Sequence, residues 1–350
     1  MQALLGVLFH TIGGIASGSF YMPYNKVKGW AWESYWMVGG LFAWLIAPPL
    51  VAWITVPGFV EIITASSSHI LFFTFFMGLL WGVGGLSYGL GVRYLGMSLG
   101  NSVVLGFCAA FGAIVPSFYY TINPTEGKIS FTDMLATSGG KLVLFGVFVC
   151  LAGIAISGWA GMMKEGELSE EEKKKSVAEF SLVKGLIIAV LSGILSSFFN
   201  FGIEAGKPLA DAAVEAGFNP LYQNNVTFVV ILWGGLTTNL IWTTMLSLKN
   251  KSYGDFVNKS TPVTKNILFS ALAGITWFLQ FFFYGMGESK LGNGASSWIL
   301  HMSTIILTAN MWGIYRKEWK GVATKTKWTI TAGIFVILLS VVLVGIGNSM

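Results

Sequence analysis

The sequence predicts an all-α polytopic membrane protein, with ten transmembrane helices in two inverted five-helix repeats. Three observations predict it. The 350 residues are 54% hydrophobic and only 11% charged, whereas soluble domains carry roughly 25% charged residues, so lipid is the expected solvent. The apolar stretches are continuous and do not alternate, which fits helices and not a membrane barrel. The two halves of the chain also echo one another in glycine and aromatic spacing.

A bilayer core takes about 20 apolar residues per helix. Polar and Gly/Pro clusters divide the chain into ten such segments, near 3–23, 32–56, 69–92, 98–121, 139–161, 182–204, 222–248, 265–287, 294–315 and 328–348. The first lacks a basic leader and has a counterpart in mid-chain, so it is expected to be a structural helix and not a cleaved signal. The net charge is +5, but the basic residues sit in short loops, where they report orientation and imply no nucleic-acid partner. Of the 21 Lys and Arg, Lys128, Lys141, Lys207 and Lys290 fall on one side and all others on the opposite side. The positive-inside rule then places both termini outside a bacterial inner membrane. Cys108 and Cys150 lie in apolar runs without metal-ligand spacing and are read as packing residues.

The charged stretch 162–181, with the run Glu170 to Lys175, separates a first repeat (1–161) from a second (182–350). In helix three Gly78, Trp81, Tyr88, Gly89, Gly91, Leu95 and Gly96 have the spacing of Gly274, Trp277, Tyr284, Gly285, Gly287, Leu291 and Gly292 in helix eight. Helix one carries Gly14, Ile15, Ser17 and Phe20, matched by Gly193, Ile194, Ser196 and Phe199 in helix six. Gly146, Phe148, Val149, Leu151 and Gly158 of helix five match Gly333, Phe335, Val336, Leu338 and Gly345 of helix ten. Five is odd, so the second copy enters the membrane inverted, as in many secondary transporters.

Ionisable residues inside a bilayer normally face a cavity or a partner. His10, Gly14, Ser17 and Tyr21 share one helical face. Ser297, His301, Thr304 and Thr308 repeat that spacing in helix nine. The two stripes either line a wet cavity or bond helix to helix. Trp277, Gln280, Phe281 and Tyr284 share a face of helix eight, and Trp81 is the repeat mate of Trp277. Rings beside an amide or imidazole suit the apolar C–H face and hydroxyls of a sugar, although any single ring is better explained as core, an explanation that fits the amide of Gln280 less well. Ser197, Asn200 and Glu204 share a face of helix six. Glu33, among Trp30, Trp32 and Trp36, either exchanges a proton from an aromatic cage or pairs with Lys26 or Lys28. The glycines from Gly82 to Gly91 lie within a helix and not in a strand-to-helix turn, which excludes a dinucleotide loop. No Walker motif is present, so an ion or solute gradient must supply the energy. No cofactor or metal is expected.

Four strings carry a resemblance: FYMPYNKVKGWAWESYWMVGG (20–40), WGVGGLSYGLGVRYLGMSLG (81–100), WFLQFFFYG (277–285) and SWILHMS (297–303). Together with 205–222 they sample nearly the whole chain, and they resemble the L-rhamnose proton symporter family of the drug/metabolite transporter superfamily. The resemblance implies ten helices in two inverted halves and import of L-rhamnose, or a related deoxy sugar, with a proton. His10, Glu33, Gln280 and His301 stand where the family strings carry the same residue types. The sequence departs from the family at Gly292 to Ser296, at Glu204, and at the polar triplet Gln223, Asn224 and Asn225.

The expected partners are therefore a small neutral sugar, a proton and the bilayer. Proton coupling is assigned to Glu33, His10 or His301, with Glu33 ranked first because a protonated carboxylate is neutral. Sugar contact is assigned to Gln280, His10, His301, Tyr21, Trp81, Asn200, Trp277 and Tyr284. The alternatives are an uncoupled exchanger or exporter of amphipathic metabolites and, in another class, a receptor or intramembrane enzyme. The absence of paired-Asp, Ser/His or zinc-helix spacing argues against an enzyme.

Overall fold

A computed structural model describes the chain except residues 1, 123, 125–128, 170, 172–178 and 292–293. Lys128, the linker's Lys173 to Lys175, and Gly292 and Asn293 of the sequence patterns lie outside the described residues. In lipid each segment must satisfy its own backbone groups, and the described residues form helices and no strand.

We number the long helices in chain order. Eight of them are long and apolar enough to cross a membrane: α1 (Leu4–Tyr24), α2 (Trp32–Thr55), α3 (Ser68–Leu95), α5 (Ser138–Glu167), α6 (Leu182–Glu215), α7 (Pro220–Asn250), α8 (Val263–Leu291) and α10 (Thr324–Gly347). Two more, α4 (Met97–Ile122) and α9 (Gly294–Tyr315), occupy the fourth and ninth expected segments. The chain is a multi-pass membrane protein. Several segments run past their expected ends, α5 among them, which reaches Glu167. The sixth continues to Glu215, with breaks at Ser197 and Gly206, and α8 continues to Leu291.

Contacts divide the chain into two compact units, Met1–Val83 with Phe198–Gly292 and Gly84–Ser197 with Asn293–Met350. Each unit combines segments from both halves of the sequence, and the boundaries fall inside α3 and at the Ser197 break of α6.

In the first unit, glycines let backbones touch. A Cβ at Gly274 of α8 would fall 2.1 Å from the carbonyl oxygen of Gly39 in α2, and one at Gly78 of α3 would fall 2.0 Å from that of Ile231 in α7. Helix α2 is not uniform. Its residues Leu41–Ile46 form a π-helical turn between α-helical Trp32–Gly40 and Ala47–Thr55. Pro48 and Pro49 have no N–H to offer the carbonyls four residues earlier, and the turn before them widens, with the Ala47 N–H reaching Phe42 O.

In the second unit, α5 and α10 run antiparallel along small residues seven apart. Gly139 faces Gly347, Gly146 faces Val344 and Ser340, and Gly153 faces Gly333 and Ile337. Close approach of this kind drives helix association where no hydrophobic effect operates between helices. Cys108 and Cys150 are buried here as free thiols, and Cys150 Sγ donates to Gly106 O at 3.3 Å. Lys164, 1% exposed, lies over the rings of Phe180 and Trp319, and Glu318 accepts from the Ser98 N–H at 3.1 Å.

Candidate functional site

The first unit is built around a cluster of rings contributed by α1, α2, α3, α6 and α8. Phe20 stacks on Trp277 (centroids 4.4 Å, 23°). Trp277 meets Trp44 edge-on at 5.1 Å and Trp36 at 5.3 Å. Trp81 lies 6.3 Å from Trp277 and 6.1 Å from Trp44, and packs on Phe199 at 5.1 Å and Phe281 at 5.6 Å. Tyr21, half-buried, tilts against Trp36 at 6.2 Å.

Polar groups set into this cluster are few. Gln280 is 6% exposed, one turn from Trp277 on α8. The Trp36 indole N–H donates to Asn239 Oδ1 at 2.9 Å, and Asn239 Nδ2 donates to Gly235 O and Gly82 O. Trp44, 1% exposed within the π turn, has an indole N–H with no acceptor among the described residues. A buried donor left without a partner costs about 1–3 kcal/mol, so a bound hydroxyl at this N–H would recover stability. Asn200 is half-buried, next to Phe199.

His10 is fully buried on the inward face of α1, with Gly14 and Ser17. Its ring meets Tyr284 edge-on at 5.3 Å and lies on the α8 backbone, where a Cβ at Gly287 would fall 2.5 Å from Nε2. Two turns beyond Gln280, Glu288 Oε2 accepts from Asn224 Nδ2 at 2.9 Å.

Glu33 belongs to a different polar group, at the first turn of α2. It is 4% exposed, and its Oε1 accepts from Ser252 Oγ at 2.7 Å and Asn250 Nδ2 at 2.9 Å. Trp32 stacks on Trp36 and Trp30 packs on Phe256. Asp255 caps the same helix, accepting from the Ala31 N–H at 2.8 Å and from Ser34 Oγ at 2.7 Å. Asn266 makes two hydrogen bonds to the Lys28 backbone, accepting from its N–H at 3.0 Å and donating to its carbonyl at 2.8 Å. Glu33 therefore helps to tie the 250–266 segment to the start of α2.

The structure thus brings His10 and Tyr284 into contact, and joins Trp81, Trp277 and Tyr21 through the ring cluster that Gln280 enters. His301 lies in the second unit, 2% exposed on α9. Of its stripe, Ser297 is fully buried, while Thr304 and Thr308 bond back to their own helix at Leu300 O and Thr304 O. Glu204 is exposed. Sequence reasoning missed Phe20, Trp36, Trp44, Phe199, Asn239 and Glu288 as site residues. The polar start of α7 was the visible signal for the last, since Asn224 is its partner.

The model of the L-rhamnose-proton symport protein (RhaT) family matches residues 1–350. The chain belongs to that family. It is 38% identical over 349 residues to proteins named L-rhamnose-proton symporter from Yersinia pestis (strain Pestoides F) and Yersinia pseudotuberculosis serotype O:1b (strain IP 31758), covering 98% of this chain and 98% of each relative. The L-rhamnose-proton symport family is one of transporters and not of enzymes.

With Gln280 buried among the rings, Gln280→Ala is expected to weaken sugar binding by roughly 1–3 kcal/mol, the cost of one buried hydrogen-bonding partner. Binding measured by isothermal titration on the folded variant checks this. Unchanged affinity would make Gln280 a packing residue.

Proposed function

We propose that this protein imports L-rhamnose, or a closely related deoxy sugar, together with a proton by alternating access in a bacterial inner membrane. The observation that carries the reading is the full-length match to the L-rhamnose-proton symport family. The ring cluster supports it, because stacked Trp and Phe offer flat apolar faces to a sugar's C–H groups and methyl, while Gln280 and the Trp44 N–H offer hydroxyl partners. The test is uptake of labelled L-rhamnose into proteoliposomes with and without an inward proton gradient. Accumulation only with the gradient is expected; equal uptake in both would favour the uncoupled exchanger.

The architecture we propose is ten spans in two inverted repeats, 1–161 and 182–350, joined by the cytoplasmic linker 162–181. Equivalent residues with equivalent surroundings support it. Phe20 packs on Trp277 as its mate Phe199 packs on Trp81. Gly274 touches the backbone of α2 as Gly78 touches that of α7. Gly146 and Gly333 both lie at tight crossings, Gly158 and Gly345 both face open space, and Phe148 and Phe335 are 67% and 66% exposed. Both termini are then outside. A tag at the amino terminus of intact cells should be cleaved by external protease, and its protection would reverse the orientation.

Coupling needs a group that changes protonation, and Glu33, His10 and His301 are the residues the sequence offers. The bonds of Glu33 to Asn250 and Ser252 favour a tie between α2 and the 250–266 segment. Glu33→Gln is accordingly expected to slow transport but to keep gradient-driven accumulation. If that variant exchanges sugar yet cannot concentrate it, Glu33 is the proton carrier.

A further inference from the structure

The last turn of α8 carries a carboxylate that neither the sequence pattern nor the family name assigns. We infer that Glu288, placed one helical turn beyond Tyr284 and hydrogen-bonded to Asn224, is the group that takes up and releases the coupled proton. The inference rests on the proton-coupled reading above.

The geometry is that of a small titratable cluster. Glu288 stands one helical turn beyond Tyr284, so the two share a face of α8. Tyr284, 2% exposed, presents its ring to the edge of His10. His10 in turn packs on α8 at Gly287, where no side chain stands in the way: a Cβ there would fall 2.5, 2.7 and 2.8 Å from three atoms of the imidazole. From α7, Asn224 donates to the carboxylate. Among the described residues the charged group that acts on it is Lys207, at the start of the Lys207–Glu215 helix, and Lys207 is itself paired with Asp211 at 2.7 Å.

Three features suit these residues to proton exchange. A neutral sugar carries no charge, so the carrier must supply the group that responds to the gradient. A protonated carboxyl crosses an apolar interior as a neutral species, whereas a protonated imidazole does not. An amide partner serves both states, since Asn224 can donate to the carboxylate through its NH2 and accept from the carboxylic acid through its oxygen. Glu33 differs in position. It opens a helix, whose free N–H groups hold an anion in place, while Glu288 closes one, where free carbonyls do not. In the step itself one proton binds a Glu288 carboxylate oxygen on the side of higher proton activity and leaves from the same oxygen on the other side; no other bond changes.

The experiment compares parent, Glu288→Gln and Glu288→Asp in proteoliposomes with labelled L-rhamnose. Glutamine keeps the shape and the Asn224 bond but cannot change charge, so it is expected to exchange sugar across the membrane while losing gradient-driven accumulation entirely. Accumulation by Glu288→Gln equal to the parent's would overturn the assignment. Glu288→Asp is expected to accumulate sugar with a displaced pH profile for apparent affinity, a readout that a purely structural role leaves unmoved. Should the glutamine variant not fold, an unshifted profile in Glu288→Asp overturns the assignment alone. A parent that shows no response to the gradient would instead sink the coupled reading itself, independently of Glu288.

Discussion

Alanine at Gly274 is expected to leave the transporter unable to hold its fold. A single added methyl would lie 2.1 Å from Gly39 O and 2.9 Å from Gly39 C, and these are backbone atoms of α2 that cannot rotate aside. Alanine gains about 1 kcal/mol of helix propensity over glycine, but overpacking typically costs about 1–3 kcal/mol even where side chains can yield. The clash wins, and α2 and α8 must separate where Phe20, Trp36 and Trp277 meet. Gly158 and Gly345 supply the control, since a Cβ at either meets no atom within 4 Å. In thermal melts of purified protein, Gly158→Ala and Gly345→Ala should match or exceed the parent, while Gly274→Ala melts far lower or fails to accumulate. Equal melting of all three would show that the α2–α8 crossing is not tight.

Trp277→Ala is expected to have the largest effect on sugar recognition. The indole touches Phe20, Trp36, Trp44 and Trp81, and truncating a buried aromatic costs about 3–5 kcal/mol of stability. Trp277→Phe separates the two roles, because a phenyl ring keeps the stack on Phe20 and part of the apolar face. Calorimetric titration with L-rhamnose should show no binding by the folded fraction of Trp277→Ala and weakened binding by Trp277→Phe. A folded Trp277→Ala that binds like the parent would remove the ring cluster from the sugar site.

The sequence made the helices legible because hydropathy reports directly on solvent. Trp81 and Trp277 were legible as mates because a tryptophan seven residues before a tyrosine, with glycines at fixed offsets, is rare enough to be seen twice. Their partners Phe20 and Phe199 were also matched to one another, yet nothing in the spacing says that each mate packs on the other pair's tryptophan. Glu288 was lost for a physical reason. A hydropathy reading ends a helix at its first charge, here after Gly287, whereas α8 continues to Leu291 and Asn224 meets the carboxylate. The bonds of Glu33 were invisible because Asn250 lies 217 residues away. His10 and His301 sit on stripes of identical spacing, and only the contacts assign them to different units. Pro48 and Pro49 announced a disturbance in α2 but not the widened turn that holds Trp44.

The first unit joins residues from opposite ends of synthesis, and this has a consequence for how the protein is made. Lys28 pairs with Asn266 across a separation of 238 residues, and His10 rests on a glycine of α8 that emerges later still. At translation rates of about 5–20 residues per second, the interval is on the order of 10 to 50 s. Throughout it the imidazole of His10 and the hydroxyl of Ser17 stand in the bilayer without the helix that finally covers them. Assembly of the first helix is therefore complete only when the eighth arrives, and truncation anywhere before α8 leaves α1 its ring contacts with Trp36 but leaves His10 without the glycine it rests on.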